Sequence, residues 1–446
     1  MHAKKTIALT LCSWALLGSP GWLQAQSKDR NTLVREDRTR FLDNGLWIYN
    51  DVEQGLATAQ ETGQPLLVIF RCIPCEACAQ LDEQVIEENP AVRKWLSKFV
   101  CVRVVKANGM DLSRFQFDYD QSWTAFFLNG DGTIYGRYGT RSHQTENADD
   151  VSLDGLLETM GRVLALHSRF SDVKQALQAK TGPQVAIAVP EDFPSLQERY
   201  TADLNYSGEV ARSCIHCHQV GEAWRDWQRA ENHQLSNKVL YPYPHPKILG
   251  CIMDPKTAAT IKSVEPGSWA ADAGLQAGDR IEQMAGQPIV SMADLQWVLH
   301  HAADVATLPV VVQRRQKPLE LSLNLPAGWR TNGDISWRVS SWSLRRMVTG
   351  GLRLRSLSEQ EAAEIEVPLG VGLRVEHVGQ YNAHAAAKRA GFQRNDLLLA
   401  VDGKVDRMSE SQLLTYLVNA KRPGEQVAVE LLRDGQRLTL QLPMQE

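Results

Sequence analysis

A pattern that occurs twice in the second half of the chain constrains the fold most strongly. In each copy, a short apolar stretch leads to an alanine-rich segment that ends in a glycine, Gly274 in the first copy and Gly391 in the second. An aspartate comes five residues later (Asp279, Asp396), and another glycine comes seven residues after that aspartate. Each copy continues into a helix-like stretch and a pair of strands. This repetition predicts two copies of one module rather than a solenoid, which needs more and shorter units.

Both copies resemble PDZ domains of the bacterial periplasmic type, over residues 247–326 and 367–444. The resemblance implies a mainly β fold with two helices, in which a peptide end adds as a strand to an exposed sheet edge. It also implies that loop N–H groups hold the carboxylate of the peptide. In this chain those loops are Leu249, Gly250, Cys251 and Ile252 in the first copy, and Leu369, Gly370, Val371 and Gly372 in the second. The alternative for either copy is a structural brace that binds no peptide.

A pair of cysteines follows an apolar run in the first half of the chain. The run from Leu66 to Phe70 is typical of a buried parallel strand, and Cys75-Glu-Ala-Cys78 follows it at the start of a helical pattern. A helix N-terminus presents unsatisfied N–H groups and a partial positive charge, which favour a thiolate. We therefore expect Cys75 to be a nucleophile and Cys78 to attack the resulting mixed disulfide and release the partner.

These residues, with Gln64-Pro65 before the strand and Leu81-Asp82 after the cysteines, resemble the thioredoxin-like superfamily over residues 45–168. Two features depart from the family pattern. The family has a cis-proline facing the dithiol, at the position where this chain has Trp123. Cys72 adds a third cysteine, which could compete in the redox chemistry or form a metal site with the pair. The alternative to redox chemistry is a structural disulfide in a thioredoxin-shaped binding domain.

A second cysteine motif, Cys214-Ile-His-Cys-His218, has the pattern of covalent c-type haem attachment. In that interpretation Cys214 and Cys217 bind the haem vinyl groups, and His218 becomes the proximal iron ligand. Two alternatives stay open, a second dithiol that exchanges with Cys75 or Cys78, and a Cys/Cys/His metal site that includes His218. The candidates for a sixth iron ligand are Met253, His233 and His245.

The N-terminus has the pattern of a secretory signal peptide over residues 1–25, with a basic start, an apolar run from Thr6 to Gly18, and a helix-breaking Pro20-Gly21. The apolar run is shorter than the ~20 residues of a membrane-spanning helix, and no later segment approaches that length. We therefore expect an exported, periplasmic protein without a transmembrane span in its mature form. The net charge of -4 gives no basic excess that would favour nucleic acid.

The fold class expected from these motifs is a multidomain one, an α/β thioredoxin-like domain followed by two PDZ-like domains. The predicted boundaries are 1–25 for the signal peptide, 26–44 for a leader, 45–168 for the thioredoxin-like domain, 169–246 for a connector with the CxxCH motif, 247–326 for the first PDZ-like domain, 327–366 for a Trp/Arg-rich connector, and 367–446 for the second PDZ-like domain. The combination resembles a bacterial group of exported thioredoxin-like/PDZ (seleno)proteins. Some members place selenocysteine at the redox motif, which favours dithiol chemistry.

The function expected from this architecture is an exported thiol–disulfide oxidoreductase whose PDZ modules bind protein partners or C-terminal peptides. One alternative is a non-enzymatic PDZ scaffold with a structural cysteine site. Another is a c-type haem electron carrier or redox sensor. A protease is not expected, because the sequence lacks the Gly-x-Ser-x-Gly nucleophile motif.

Overall fold

The structure, a computed structural model, describes residues 29–73, 75, 79–86, 89–143, 149–232, 234–365 and 367–446. The predicted signal peptide, Cys78 and His233 lie outside the described residues. Within those ranges, no helix is both long and apolar enough to cross a membrane.

The first domain is built around a five-stranded sheet. Its elements in chain order are α1 (Arg30–Phe41), β1 (Trp47–Tyr49), α2 (Val52–Thr62), β2 (Leu66–Arg71), α3 (Ala79–Ile86), α4 (Pro90–Leu96), β3 (Val100–Val104), β4 (Trp123–Leu128), β5 (Ile134–Tyr138) and α5 (Leu153–His167). The strand order is β1-β3-β2-β4-β5, in which β1, β3 and β2 are parallel and β4 and β5 are antiparallel additions.

Alternate residues of β2 enter two different cores, which explains its continuous apolar sequence. Leu67 and Ile69 pack with α3, α4 and α5 on one face of the sheet. Leu66, Val68 and Phe70 face the other side, where α2 and several later segments cover them. Every residue of β2 is buried, as expected for a central strand with both faces covered.

The middle of the connector between the first domain and the repeats is folded onto that second face. The connector contains α6 (Phe170–Leu177), α7 (Val210–Ser213), α8 (Cys217–Asn232) and α9 (Asn237–Leu240). Ile215, Val220 and Ala223 are buried in the same core as Phe70 and Phe126, and this packing brings the second cysteine motif to the sheet. The two ends of the connector lie elsewhere, since α6 packs in the core on the first face and α9 packs in the core of the second repeat.

The first repeat forms two small sheets and contains two helices. Its elements are β6 (Cys251–Met253), β7 (Ile261–Val264), α10 (Trp269–Asp272), β8 (Arg280–Met284), β9 (Gln287–Pro288), α11 (Met292–His301), β10 (Ala306–Arg314) and β11 (Lys317–Leu325). One sheet pairs β6 with β7, and the other has the order β11-β10-β8-β9.

The second repeat forms one five-stranded sheet. Its elements are α12 (Ser341–Thr349), β12 (Leu352–Ser356), α13 (Glu359–Ala363), β13 (Leu373–Val378), α14 (Ala386–Arg389), β14 (Leu397–Val401), α15 (Glu410–Ala420), β15 (Gln426–Arg433) and β16 (Gln436–Pro443). The strand order is β12-β13-β14-β15-β16. Because β12 belongs to this sheet and α12 packs against α15, part of the segment that the sequence assigned to the 327–366 connector is built into this module.

The aspartate that recurs in the repeat has the same structural role in both copies. Asp279 accepts two hydrogen bonds from the Arg314 guanidinium, each 2.7 Å long, and Asp396 accepts two of the same length from Arg433. Each arginine also donates to the carbonyl of the repeat glycine, Gly274 or Gly391. These bidentate pairs join the strand hairpin to the glycine turn, which is why the spacing repeats.

The first PDZ module is docked on the edge of the thioredoxin-like sheet through α11. Asp294 of this helix forms an ion pair with Lys180 at 2.7 Å, and both side chains are almost completely buried, with 1% and 0% of their surface exposed. Asp294 also accepts the backbone N–H of Arg137 in β5. A Cβ at Gly136 would lie 2.7 Å from the Asp294 carboxylate, so only glycine permits this approach.

We predict that Lys180→Met destabilises the docked modules by about 3–5 kcal/mol, because it leaves the Asp294 carboxylate buried without its cation. Urea denaturation of the full chain measures the loss. The matched control is Lys174→Met, which removes an exposed partner of Asp131 and should cost less than about 1 kcal/mol. Equal small losses for both variants would contradict a structural role of the buried pair.

Candidate functional site

The first cysteine of the site, Cys72, directly follows β2 and is fixed by the neighbouring strand. Its backbone N–H donates to the Ser122 carbonyl at 2.9 Å, one residue before β4 begins. The Cys75 N–H donates to the Cys72 carbonyl at 3.1 Å and closes a tight turn. Cys72 is buried, whereas Cys75 is partly exposed, so the turn presents only the second cysteine to solvent.

Three side chains meet at this turn. The sulfur atoms of Cys72 and Cys75 are 2.6 Å apart, and the Cys72 sulfur lies 3.0 Å from Nδ1 of His216. His216 is the middle residue of the second cysteine motif, and it arrives there with the folded connector. The sequence interpretation gave His216 no role, because only its position between two cysteines distinguishes it.

The contacts at the turn shift the pKa values of the two thiols in opposite directions. The hydrogen bond with Cys72 lowers the pKa of Cys75 to about 4; burial opposes this shift, while His216 and the Arg71 charge add to it. The same hydrogen bond, together with burial, holds the pKa of Cys72 well above its ordinary value. Cys75 is therefore the thiolate of the pair, and Cys72 holds the proton.

A buried charge network supports the turn from behind. The Arg71 guanidinium donates to the carbonyl oxygens of Cys72 and Cys75. Arg71 and Arg103 both pair with the Asp82 carboxylate, at 3.4 and 2.8 Å. Burial alone would raise the pKa of Asp82, but the two arginines keep it below its usual range. The network thus holds a cation beside the thiolate.

Trp123, the residue at the family's cis-proline position, is part of this network. Its indole N–H donates to the Asp82 carboxylate at 3.1 Å, and its ring packs edge-on against Tyr138. Trp123 is buried and begins β4 directly opposite Arg71. Among the described residues every peptide bond is trans.

The second cysteine motif is clamped to the first domain by Asn108. The Asn108 side chain accepts the Ile215 N–H at 2.7 Å and donates to the Ser213 carbonyl at 3.0 Å. The Ala107 N–H donates to the Ile215 carbonyl at 3.1 Å. One small cavity is consequently lined by both motifs, through Cys72, Cys214, His216 and Cys217.

The geometry does not fit the haem interpretation of Cys214, Cys217 and His218. Only 4% of the Cys214 surface is exposed, and the cavity beside both thiols measures about 10 Å³, which is room for about one water molecule. The His218 ring pairs with Glu222 at 3.2 Å. The residues as folded leave no space for a macrocycle between the two thiols.

Two of the candidate sixth iron ligands lie elsewhere in the fold. Met253 is buried in the first PDZ module, 3.6 Å from the Cys251 sulfur. His245 faces Asp150 at 3.6 Å. Burial raises the pKa of the Cys251 thiol to about 12, so this member of the predicted peptide-binding loop is a protonated thiol.

The loop that the sequence assigned to the first PDZ module precedes the short strand β6. Leu249 ends a 3₁₀ turn, and Gly250 follows with a φ of 77°. A Cβ at Gly250 would lie 2.2 Å from the Ser268 side chain, so the close approach requires glycine. Cys251 and Ile252 then pair with β7. Strand addition beside this loop stays a prediction.

The loop that the sequence assigned to the second PDZ module, Leu369-Gly370-Val371-Gly372, leads into an interior strand. It precedes β13, which is hydrogen-bonded to β12 on one side and β14 on the other, so it offers no free edge for a peptide. The counterpart of the first module's loop is Gly350-Gly351, which leads into the edge strand β12. The alternating Leu-Arg-Leu-Arg of β12, directly after two glycines, was the signal that sequence reasoning missed.

The edge of β12 is partly occupied by the chain itself. The Leu354 N–H donates to a Glu410 carboxylate oxygen at 2.7 Å, and Glu410 is buried in an ion pair with Arg345 of α12. A peptide that added to this edge would have to displace that carboxylate. This arrangement favours the brace interpretation for the second module and leaves the first as the better candidate for partner binding.

We predict that the alkylation rate of Cys75 stays nearly constant from pH 8 down to about pH 5 and falls only as the pH approaches 4, because the thiolate persists down to its lowered pKa. An ordinary thiol, with a pKa of about 8.5, loses about tenfold per pH unit over that range. Quantitative mass spectrometry of iodoacetamide-labelled Cys75 gives the profile.

The matched pair His216→Ala and His218→Ala tests the cause of this shift. His216→Ala should move the profile to higher pH, since it removes a contact that lowers the Cys75 pKa. His218→Ala should move the profile less, because His218 interacts with Cys75 through charge alone. A wild-type rate that already falls tenfold per unit between pH 8 and 6 would contradict a stabilised thiolate.

Comparisons with protein-family models identify the modules. A thioredoxin-like model matches residues 47–130, and two PDZ-domain models match residues 260–314 and 367–444.

Two curated proteins are similar to part of the chain. The periplasmic pH-dependent serine endoprotease DegQ of Escherichia coli (strain K12) is 27% identical over 188 residues, which cover 42% of this chain and 37% of that protein. A probable periplasmic serine endoprotease DegP-like of Pseudomonas savastanoi pv. phaseolicola (strain 1448A / Race 6) is 23% identical over 197 residues, which cover 44% and 39%.

Solved structures also resemble parts of the chain. The HtrA3 PDZ domain bound to a phage-derived ligand (FGRWV) is 20% identical with a TM-score of 0.17, covering 21% of this chain and 80% of that one. The serine endoprotease from Yersinia pestis is 24% identical with a TM-score of 0.15, covering 22% and 30%. The chain spans less than two fifths of the length of the two curated relatives.

The matches to the protein-family models confirm the predicted fold class. The chain has a thioredoxin-like domain followed by two PDZ domains.

Proposed function

We propose that this chain is an exported thiol–disulfide oxidoreductase that acts through Cys75 and recruits protein partners through its first PDZ module. The observation that carries the proposal is the contact between the partly exposed Cys75 and the buried Cys72, whose sulfur atoms are 2.6 Å apart. Reactive cysteines lie in partly exposed, electropositive surroundings, whereas structural thiols are buried and inert. Cys101, buried in β3 with a raised pKa, is an example of the inert kind.

In the first step, the Cys75 thiolate attacks one sulfur of a disulfide in the partner protein. A bond forms between the Cys75 sulfur and that partner sulfur, the partner's own S–S bond breaks, and its other sulfur leaves as a thiolate. The Arg71 cation and the Cys72 thiol stabilise the Cys75 thiolate before the attack, and solvent protonates the leaving thiolate.

In the second step, the Cys72 thiol releases the partner. His216, whose Nδ1 lies 3.0 Å from the Cys72 sulfur, is placed to accept its proton. The Cys72 thiolate then attacks the Cys75 sulfur, so that a Cys72–Cys75 disulfide forms and the partner's second sulfur leaves with the bonding electrons. Two electrons pass from the chain to the partner, and the exchange runs in reverse when the partner is the reductant.

The sequence predicted Cys78 as the resolving cysteine, and Cys78 stays the alternative to Cys72 for that role. Both cysteines are three residues from Cys75 along the chain, one before it and one after it. The contact between the Cys72 and Cys75 sulfurs favours Cys72. The second dithiol, Cys214 and Cys217, lines the same small cavity as Cys72 and is available for exchange with it.

The proposed export rests on the relatives and the predicted signal peptide, and the proposed partner class rests on the PDZ modules. Two curated relatives that share similarity with this chain are named periplasmic, which agrees with the predicted signal peptide. PDZ domains bind peptide ends by strand addition, so a partner protein would dock on the first module and present its disulfide to Cys75. A non-enzymatic scaffold would keep the docking and make no use of the Cys75 thiolate.

Trapping of mixed disulfides tests the oxidoreductase proposal. We expect a Cys72→Ser variant to accumulate mixed disulfides through Cys75 with cell-envelope proteins, because the resolving thiol is gone. Cys75→Ser should trap nothing, and Cys78→Ser should release its partners like the wild type. Non-reducing gels followed by mass spectrometry read out all three variants.

The pattern of trapping decides between the alternatives. Accumulation only in Cys78→Ser would assign the resolving role to Cys78 and contradict the role of Cys72. No mixed disulfide in any variant, with partner pull-down unchanged in Cys75→Ser, would reject the enzyme and support the scaffold.

A further inference from the structure

The cysteine turn and the second motif together bring three metal-ligating atoms into one place. Sγ of Cys72, Sγ of Cys75 and Nδ1 of His216 all lie within 4.8 Å of one another. No such site was expected from the sequence, which offered either the Cys72, Cys75 and Cys78 trio or a set ending in His218. The group forms only because the connector folds back across the end of β2.

The donor chemistry selects a narrow class of ions. Thiolate and imidazole donors suit thiophilic cations with a filled d shell, Zn²⁺ and Cu⁺, whereas Ca²⁺ and Mg²⁺ require oxygen ligands. One of the two sulfurs is held as a thiolate beside the Arg71 guanidinium, which donates to the Cys75 carbonyl at 2.9 Å. No carboxylate is among the three donors.

The present distances are compatible with an ion after a small adjustment. Tetrahedral Zn²⁺ with bonds of about 2.3 Å to sulfur separates two thiolates by about 3.8 Å. The two sulfurs, now 2.6 Å apart, would therefore move apart by about 1 Å. We assign that movement to Cys75, which is the partly exposed end of the turn, because the backbone N–H of Cys72 is bonded to Ser122.

The histidine is held firmly enough to act as a ligand. The backbone N–H of His216 donates to the Gln219 side chain at 2.9 Å. The preceding residue, Ile215, is completely buried, its N–H donates to the Asn108 side chain, and its carbonyl accepts the Ala107 N–H. Cys214 and Cys217, which line the adjoining cavity, are the nearest protein candidates for a fourth donor. Fixing the backbone beside the histidine limits the positions that its ring can take relative to the two sulfurs, which pre-organises the site.

We propose that the reduced chain binds one thiophilic cation, Zn²⁺ or Cu⁺, through Cys72, Cys75 and His216. This inference goes beyond the proposed oxidoreductase, because a cation held by both thiolates blocks their attack on a disulfide. Formation of the Cys72–Cys75 disulfide removes both sulfur ligands, so metal and disulfide are alternative states of one site. The chain would then hold its cation under reducing conditions and release it on oxidation.

Metal titration of the reduced full chain under anaerobic conditions tests this inference. Zn²⁺ is titrated against a chromophoric chelator, and Cu⁺ is titrated separately against bicinchoninate, so the two arms identify the ion. We expect one tightly bound ion per chain. His216→Ala should weaken binding about tenfold or more, the double variant Cys72→Ser/Cys75→Ser should abolish it, and the control His218→Ala should bind like the wild type.

X-ray absorption spectroscopy of the metal-loaded wild type provides a test that needs no variant. We expect a first shell with at least two sulfurs and one imidazole nitrogen. Failure of both ions to bind, a shell without sulfur, or undiminished binding in the double variant would overturn the proposal. Because mixed-disulfide trapping is carried out without added metal, the metal site and the oxidoreductase can fail independently.

Discussion

The arrangement of the cysteine site depends on one buried asparagine. Asn108 donates to the carbonyls of Thr201 and Ser213 and accepts the Ile215 N–H, so it fastens three points of the connector to the end of the thioredoxin-like sheet. Buried amide groups are costly unless they are paired, and here each of these bonds pairs a polar group of the connector. His216 reaches the Cys72 sulfur because the residue before it is held in this way. The site therefore belongs to the folded connector as much as to the cysteine turn.

The hydrogen bond between the two sulfurs is the main reason that the two neighbouring thiols differ, and His216 and the Arg71 charge add to it. Cys75 is the partly exposed thiol, and Cys72 is the buried one. Asp82 is shared between two arginines and the Trp123 indole, which keeps the Arg71 cation in place without neutralising the site. Trp123 thus replaces the family's proline with a side chain that anchors the network behind the dithiol. In the proposed function this pair supplies the attacking thiolate, and in the proposed metal site it supplies two ligands, so oxidation to the disulfide would end both roles.

Much of the fold could be predicted from local patterns. The apolar run of β2, the repeated glycine and aspartate spacing, and the order of the modules depend on residues close together in the sequence, and Asp279 and Asp396 are explained by their arginine pairs. The contact of His216 with Cys72 joins residues 144 positions apart, and no local pattern encodes it. The peptide-binding loop of the second module was wrongly placed at Leu369. The repeated pattern aligns with the interior strand β13, whereas the edge strand β12 lies earlier in the chain. The haem pattern was read from spacing alone, whereas burial of Cys214 depends on the packing of the connector.

Disulfide mapping of the mildly oxidised full chain tests whether Cys72 and Cys75 form the working dithiol. Cys72, Cys75 and Cys78 follow Arg71 in one tryptic peptide, so free thiols are alkylated first and the peptide is fragmented by tandem mass spectrometry. We expect a Cys72–Cys75 disulfide with Cys78 alkylated. A Cys75–Cys78 disulfide with Cys72 alkylated would contradict it.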